Sequence, residues 1–334
     1  MLGIGTQTLG PDLFLAGSYD AGHMLRFVRT IAHKFSAMSR RSVTVKVPAT
    51  SANLGPGFDC LGLALDLWGT VSIAVAEDSP ANQDAVLRMA LDSSRRVFAA
   101  AKVPPPPLTA SYDGVVPMAR GLGASAILRV GGLLGANFLL GEPFQRDRLL
   151  TFAADLERHA DNAAPALFGG LQVAVRPEGS ETVLHVGVCP PPGLKAVLFI
   201  PEFHMPTAKS REVLPAAVTR ANAIYNIGRA SLLVAALATG ELGVLDEATQ
   251  DKLHQPARAH FFPAMPAIIN AARAAGAHCA YLSGGGSAIC ALTSEREDSI
   301  AEAMAEAAAR AGVRGTSAIT RPTERGAEVI EGGS

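Results

Sequence analysis

A glycine-rich segment carries the clearest chemical signal in the sequence. Residues 117–126 read Pro-Met-Ala-Arg-Gly-Leu-Gly-Ala-Ser-Ala, and a helix is predicted to begin at Ser125. Glycines let a loop turn its backbone N–H groups inward, and the helix behind them adds the positive end of its dipole. Together they predict a phosphate cradle, in which the Ser125 hydroxyl could bind Mg²⁺. A plain strand-to-helix turn is the alternative. A dinucleotide site is not indicated, because Pro117 stands where that motif needs an apolar strand, and no Walker lysine follows the glycines.

Two further polar segments could bind a small substrate. Asn53 and Asp59 lie in a glycine-rich loop directly after a predicted strand, where they could bind a cationic group. Residues 157–165 read Glu-Arg-His-Ala-Asp-Asn-Ala-Ala-Pro, at the end of a predicted helix. This combination of carboxylates, imidazole and amide suits a site for a metal and a hydroxyl, although an ordinary helix end would look similar.

Two arginines and a second glycine turn complete the candidate residues. The guanidinium groups of Arg211 and Arg258 could bind one carboxylate between them, although isolated arginines are usually solvated surface residues. The Ser-Gly-Gly-Gly-Ser turn at 283–287 lies between two short apolar stretches, an arrangement that favours close backbone approach to a ligand or to another lobe. A tight hairpin is the alternative.

The elements that must position these residues are a mixture of helices and strands. Sequence patterns predict strands at 43–47, 71–75, 171–175, 182–188, 195–200 and near 317–320. Helical spacing predicts helices at 84–101, from Ser125 to about Gly141, from Pro143, at 266–275 and at 300–310. A further helix is predicted along an apolar stripe of Ile224, Ile227, Ser231, Val234 and Leu237. The two types of element do not alternate strictly. We therefore expect an α+β chain of two lobes rather than a doubly wound sheet.

Composition excludes several classes of protein. The chain has 334 residues, 49% hydrophobic and 18% charged, with a formal net charge of −1. Such a chain is neither disordered nor equipped with the basic surface that nucleic acids or anionic membranes require. The uncharged stretch 274–294 is interrupted by its glycine turn, so it predicts two strands rather than a membrane span. Four scattered cysteines without a C-x-x-C pair favour small, buried, free thiols in a reducing compartment, and a poor signal peptide favours the cytoplasm.

Taken together and in this order, the segments resemble the homoserine kinase family of the GHMP superfamily of small-molecule kinases. The residues that carry the resemblance are 48–62, 120–126 and 159–170, with the segments around Arg211, Arg258 and Ser283. The resemblance covers about 42–320 and implies the two-lobed GHMP-kinase fold, with an N-terminal lobe like ribosomal protein S5 and a ferredoxin-like C-terminal lobe. It implies an ATP-binding N-terminal domain at 38–202 and a C-terminal domain at 203–334, and we interpret 1–37 as an N-terminal extension.

The resemblance also implies a reaction, the transfer of the γ-phosphoryl group of ATP to the side-chain hydroxyl of L-homoserine, with Mg²⁺. It implies phosphate-binding residues, a metal pair and an amino-acid pocket. The phosphate-binding residues are Pro117, Arg120, Gly121, Leu122, Gly123, Ala124, Ser125 and Ala126. The metal pair is Ser125 with Glu157. The amino-acid pocket is Asn53, Asp59, His159, Asn162, Arg211 and Arg258. The resemblance is compatible with a homodimer and implies no nucleic-acid or membrane partner.

Within that pocket, our hypothesis assigns one role to each chemical group. Asp59 faces the substrate ammonium and the two arginines face its carboxylate, whereas Asn162 and Thr207 face the reacting hydroxyl. We expect Asn162, Thr207 and Arg211 to be the catalytic residues. Related kinases have an aspartate base where Asn162 stands, and an amide accepts no proton at neutral pH, so the resemblance implies catalysis without a conventional general base.

Several residues depart from the family pattern. Ala124 replaces a serine, Arg129 stands where an apolar residue is usual, and Arg158 replaces a glycine. An unpaired buried arginine at 129 would be costly. Two alternatives therefore stay open: a GHMP kinase for another hydroxylated metabolite such as mevalonate, and a degenerate member that binds nucleotide or metabolite without turnover.

Overall fold

A six-stranded antiparallel sheet forms the first part of the fold. The computed structural model describes residues 40–78, 84–205 and 207–333, so the extension expected at 1–37 lies outside the described residues. The strands are β1 (Ser42–Ala52), β2 (Leu61–Val75), β3 (Leu108–Gly114), β4 (Leu171–Val175), β5 (Leu184–Val188) and β10 (Glu328–Gly333). Their order is β10-β1-β2-β4-β5, and β3 pairs with the second half of β2.

Four helices lie between strands of this sheet in the sequence. They are α1 (Ala85–Ala100), α2 (Ala124–Leu139), α3 (Arg146–Glu157) and α4 (Ala163–Phe168). The side chain of Asp84 accepts the backbone N–H of Val86 and so caps α1. Most residues of α2 are buried, because this helix lies against β1 and β2 on one side and against α1 and α3 on others. The central position of α2 fixes its N-terminus, where the glycine loop ends.

A four-stranded antiparallel sheet forms the second part. It consists of β6 (Lys195–Pro201), β7 (Cys279–Leu282), β8 (Ile289–Thr293) and β9 (Gly315–Thr320), in the order β7-β8-β6-β9. The longer helices α9 (Met265–Ala274) and α10 (Glu297–Arg310) pack on it through a continuous apolar core that includes Phe199, Ile268 and Met304. The remaining helices are α5 (Thr207–Glu212), α6 (Arg220–Thr239), α7 (Leu245–Ala248) and α8 (Gln255–Arg258).

The predicted α+β class is confirmed, and the elements differ from the sequence-based assignments in detail. The uncharged stretch 274–294 contains β7 and β8 on either side of the glycine turn, as predicted, and no helix in the described ranges is long and apolar enough to cross a membrane. Strands β3 and β10 were not predicted. The last strand pairs with the first, so the C-terminal end of the chain returns to the first sheet.

Two expectations about burial were wrong in part. On α6, Ile224 and Ile227 of the predicted apolar stripe are 63% and 66% exposed, whereas Leu237 of the same stripe is buried together with Leu233. The apolar spacing identified the helix correctly but not which part of the stripe packs. All four cysteines are free, as predicted, but only Cys279 and Cys290 are buried, whereas Cys189 is exposed.

Candidate active site

The candidate segments converge on one cavity of about 170 Å³. Its lining includes Asn53, Asp59, Arg120, Gly121, Gly123, Ala124, Ser125, Glu157, His159, Asp161, Asn162, Arg211, Arg258, Gly284 and Gly285. A larger cavity of about 560 Å³ shares Asp59 and His159 with it. Among the described residues, the lining of that larger cavity includes neither the glycine loop nor Arg211 and Arg258. The smaller cavity is therefore the candidate active site.

The glycine loop opens directly onto the start of α2. Gly121 and Gly123 have φ angles of +76° and +70°, and Gly123 is the residue immediately before the helix. Glycine is needed at both positions, since an added Cβ would lie 2.1 Å from the Ser283 carbonyl oxygen at Gly121 and 2.0 Å from Thr50 Oγ1 at Gly123. The loop thus presents backbone next to a helix N-terminus, which is the geometry of a phosphate site.

Not every residue of the predicted phosphate segment faces the cavity. Leu122 and Ala126 are buried in the core. Arg120 lines the cavity, but its guanidinium donates to the backbone carbonyls of Pro201 and Glu202 and so fastens the loop to the end of β6. Pro117 is absent from the cavity lining.

We expect Gly123→Ala to weaken ATP binding about tenfold or more. The new methyl group must displace Thr50, which lies beneath the loop, and the left-handed backbone adds roughly 1–2 kcal/mol of strain. Gly141→Ala is the matched control, since Gly141 has a φ of +79° and no atom within 4 Å of an added Cβ. Calorimetric titration with ATP measures the affinities, and thermal unfolding measures the strain common to both variants. Equal ATP affinity in the two variants would contradict this role of Gly123.

A hydroxyl and a carboxylate face each other beside the loop. Ser125 lies in the first turn of α2, and its Oγ donates to Glu157 Oε2 at 3.3 Å. Glu157 is the last residue of α3, and its other oxygen, Oε1, accepts from Arg129 Nε at 2.6 Å. Hydroxyl and carboxylate oxygens are the ligands that Mg²⁺ prefers, and these two are close enough to share one ion next to the phosphate loop. The residues present fit the metal that the sequence implied.

In the same cavity, Asp59 and Arg211 form a bidentate ion pair. Arg211 Nη1 and Nη2 donate to the two carboxylate oxygens at 2.8 and 2.5 Å, and the hydrogen bond to Asp59 raises the pKa of Arg211. Asn53 positions the aspartate, since its Oδ1 accepts the Asp59 backbone N–H at 3.0 Å and its Nδ2 donates to the Gly284 carbonyl. Asp59 is in a left-handed conformation, with φ of +61°, so this loop needs that support.

Arg258 is the largest fully buried side chain among the described residues. Its Nε donates to the Ser210 carbonyl, and its Nη1 donates to the Gly284 carbonyl and to His254 Nδ1. Burial, followed by the nearby charge of Arg211, lowers the pKa of Arg258 to about 10. His254 is itself fully buried, and burial lowers its pKa to about 4, so it is neutral and can accept from the arginine. The network holds a positive charge at the cavity wall.

Asp161 organises the groups between the two sides. Its Oδ1 accepts from His159 Nδ1, from the Asn162 backbone N–H at 2.8 Å and from Asn162 Nδ2 at 3.1 Å. Burial lowers the pKa of His159, but the hydrogen bond to Asp161 and its charge outweigh burial and leave the pKa raised. Asn162 Oδ1 accepts from Thr50 Oγ1 at 2.8 Å. Both ends of the Asn162 amide are thus held by the protein.

A second possible metal cluster consists of Asp59, His159 and Asp161, whose ligand atoms lie within 4.8 Å of one another. Its carboxylates are already in use: Asp59 is paired with Arg211, and Asp161 Oδ1 accepts three hydrogen bonds. An imidazole nitrogen is also a poor ligand for Mg²⁺. The Ser125–Glu157 pair therefore fits a magnesium ion better.

Thr50 belongs to this site but was not identified from the sequence. It joins the glycine loop to Asn162, and the only signal was its position near the end of β1, just before the polar loop.

The turn at 283–287 connects β7 and β8 as a hairpin and also contacts the glycine loop, because the Ser283 hydroxyl donates to the Gly121 carbonyl at 2.6 Å. Thr207 begins α5, but its side chain lies outside the described part of the chain.

Proteins of known family match this chain: two family models match separate parts of it, and individual relatives match most of its length. The family model "GHMP kinases N terminal domain" matches residues 84–170, and "GHMP kinases C terminal" matches 233–310. The homoserine kinase of Moorella thermoacetica is 41% identical over 298 residues, which cover 86% of this chain and 99% of that protein. The chain belongs to the homoserine kinase family. The homoserine kinase of Desulfitobacterium hafniense, 36% identical over 301 residues, covers 86% of this chain and is itself covered completely.

Solved structures of homoserine kinases and related kinases have the same fold as this chain. The homoserine kinase from Cytophaga hutchinsonii superimposes with a TM-score of 0.78 at 27% identity, covering 87% of this chain and 98% of its own. The mevalonate kinase from L. major, at 15% identity and a TM-score of 0.63, shows only that the fold is shared. The two-lobed GHMP-kinase fold is confirmed, and membership in this kinase family implies ATP as the phosphoryl donor.

Proposed function

We propose that this protein transfers the γ-phosphoryl group of ATP to the side-chain hydroxyl of L-homoserine, with Mg²⁺ bound between Ser125 and Glu157. One observation carries the proposal: a phosphate-type glycine loop and a paired set of opposite charges, Asp59 with Arg211, line the same small cavity. A kinase for a free amino acid needs both features. Membership in the homoserine kinase family supports the identity of the amino acid.

The amino-acid side suits a zwitterion. In the absence of substrate, Asp59 and Arg211 satisfy each other through two charge-assisted hydrogen bonds. A substrate that carries both an ammonium and a carboxylate group can enter this pair and give each residue an opposite charge. Arg258 supplies a second positive charge at the cavity wall. Mevalonate has a carboxylate but no ammonium, and would leave Asp59 without a cationic partner.

The phosphate side relies on positioning and charge. Backbone N–H groups of the glycine loop and the N-terminus of α2 would hold the ATP phosphates, and Mg²⁺ would neutralise charge on the phosphate oxygens as the γ-phosphoryl group leaves. The homoserine oxygen forms the new bond to phosphorus as the bond from phosphorus to the bridging oxygen of ADP breaks. Bringing the two reactants together in this geometry supplies much of the acceleration.

No protein base is required by this arrangement. The Asn162 amide oxygen accepts a hydrogen bond from Thr50, and its amide nitrogen donates one to Asp161. The amide is therefore held in one orientation, in which it orients the substrate hydroxyl without taking a proton. Asp161 is 2% exposed, and its Oδ1 accepts three hydrogen bonds, so we infer that it positions His159 and Asn162. The hydroxyl proton is then released to a phosphate oxygen or to water. We keep Thr207 as a catalytic candidate on the resemblance alone.

We also propose the division into an ATP-binding domain at 38–202 and a C-terminal domain at 203–334. The two sheets support it, although β10 crosses back to the first sheet. A cytoplasmic location follows from the use of ATP. A homodimer is compatible with this proposal and is not required by it.

The experiment that tests the function is a coupled assay of ADP release with the purified chain, ATP and Mg²⁺. We expect turnover with L-homoserine, and turnover with mevalonate at least 100-fold lower in kcat/KM, because an unpaired charge at Asp59 would cost several kcal/mol. Turnover of mevalonate alone would overturn the substrate assignment. Thermal stabilisation by ATP or homoserine without any product over hours would instead favour a binding protein without catalysis.

A further inference from the structure

Arg129 shares the carboxylate that we assign to the metal site. It lies four residues after Ser125 on α2, so both side chains project from the same face of the helix. Each binds a different oxygen of Glu157: Arg129 Nε bonds Oε1 at 2.6 Å, and Ser125 Oγ bonds Oε2 at 3.3 Å. The side chains of Arg129 and Glu157 are only 19% and 10% exposed, so solvent screens their interaction little. Arg129 thus binds one oxygen of the Glu157 carboxylate, and the other oxygen faces Ser125.

Two consequences follow for a cation held by Ser125 and Glu157. First, a guanidinium bonded to one oxygen restrains the carboxylate, so that Oε2 keeps facing Ser125 before any ion arrives. Second, the fixed positive charge repels a divalent cation within a few ångströms and offsets the charge of Glu157. The apolar residue usual at this position of the homoserine kinase family would have neither effect.

We propose that Arg129 is a positioning residue that sets how strongly Mg²⁺ and nucleotide bind together at this site. It holds the Glu157 carboxylate in its metal-binding orientation and lowers the affinity of the site for the divalent cation. The proposal rests on the proposed function, because it takes Ser125 and Glu157 as the metal pair. It also gives the unusual arginine a partner, which removes the expected cost of burying it alone.

Two substitutions separate charge from geometry. Arg129→Gln removes the charge but keeps an N–H group that can donate to Glu157, whereas Arg129→Lys keeps the charge but loses the guanidinium geometry. The measurement is the affinity for ADP by calorimetric titration, in EDTA and in saturating Mg²⁺, and the ratio of the two affinities gives the coupling between metal and nucleotide. This ratio is obtained from binding measurements alone and does not depend on turnover.

We expect Arg129→Gln to raise this ratio about tenfold, because the repelling charge is removed and an N–H donor to Glu157 is kept. We expect Arg129→Lys to lower it about threefold, because the charge remains while the carboxylate is no longer held by the guanidinium; an unchanged ratio in Arg129→Lys would overturn the positioning role. A ratio that Arg129→Gln leaves unchanged or lowers would overturn the role of Arg129. A ratio of one in the unsubstituted protein would overturn the metal site, and with it this proposal, whatever the result of the homoserine assay.

A second measurement covers the case in which Arg129→Gln unfolds. We then expect Mg²⁺ with ADP to restore its thermal transition, because the cation replaces the missing positive charge beside Glu157, whereas sodium chloride at equal ionic strength does not. Failure of Mg²⁺ to raise its melting temperature more than that of the unsubstituted protein would overturn the proposal.

Discussion

Arg211→Met should raise the KM for homoserine about 100-fold while the affinity for ATP stays within about twofold. The side chains of Arg211 and Asp59 are 36% and 31% exposed, and a bound substrate would bury them. Losing one member of a buried charge-assisted pair costs roughly 2–5 kcal/mol, and here it also leaves the substrate carboxylate without this partner. Among the described residues, the Arg211 side chain donates hydrogen bonds to Asp59 and none to the glycine loop, so ATP binding should be unaffected. Steady-state kinetics in homoserine, with calorimetric titration of ATP, measure the two effects.

Two controls sharpen this result. Arg220→Met makes the same substitution at an exposed position at the start of α6, and should change neither constant. Aminopropanol is homoserine without its carboxylate; the unsubstituted protein should bind it weakly, and Arg211→Met should bind it no more weakly. Equal losses for homoserine and aminopropanol would mean that Arg211 does not face the carboxylate, and a parallel loss of ATP affinity would contradict the assignment of the two sides.

Glu157→Gln should lower kcat by about two to three orders of magnitude with the fold retained. An amide has nearly the same shape as the carboxylate but lacks the charge that binds Mg²⁺ beside the phosphates, an electrostatic contribution of several kcal/mol in the transition state. The substitution also leaves Arg129 without its counter-charge, so we expect unfolding to become easier by roughly 1–3 kcal/mol. Turnover as a function of Mg²⁺ concentration, with circular dichroism and thermal unfolding, checks both expectations.

Glu302→Gln, at an exposed position on α10, is the matched control and should leave turnover and its dependence on Mg²⁺ unchanged. If Glu157→Gln kept kcat within threefold and required no more Mg²⁺, Glu157 could not be a metal ligand. The cluster of Asp59, His159 and Asp161 would then be the remaining candidate among the described residues.

The candidate site shows how far local patterns reach. The glycine loop was predictable because a glycine run before a helix start is a local feature, and the backbone angles at Gly121 and Gly123 follow from it. Thr50 was not predictable, since its importance comes from Asn162, 112 positions away, and from the missing Cβ of Gly123. A threonine near the end of a strand carries no signal of such contacts.

Charge roles were predictable only in part. Asp59, Arg211 and Arg258 were selected by residue type and resemblance, but their mutual arrangement was not. Arg211 lies against Asp59, whereas Arg258 is buried and held by His254 and backbone carbonyls. The pKa of Arg258 falls to about 10 because burial acts on it, and burial is a property of the packed chain.

By itself, the sequence determined the α+β class, most helices and strands, the position of the glycine loop before a helix, and the family, since all of these depend on residue types at short spacing. Only the tertiary structure decided which part of α6 packs, that β10 closes the first sheet, and that Arg129 meets Glu157 from a different helix. These features depend on contacts between separate elements of the chain. They depend on how the elements pack together, which no local pattern of residues encodes.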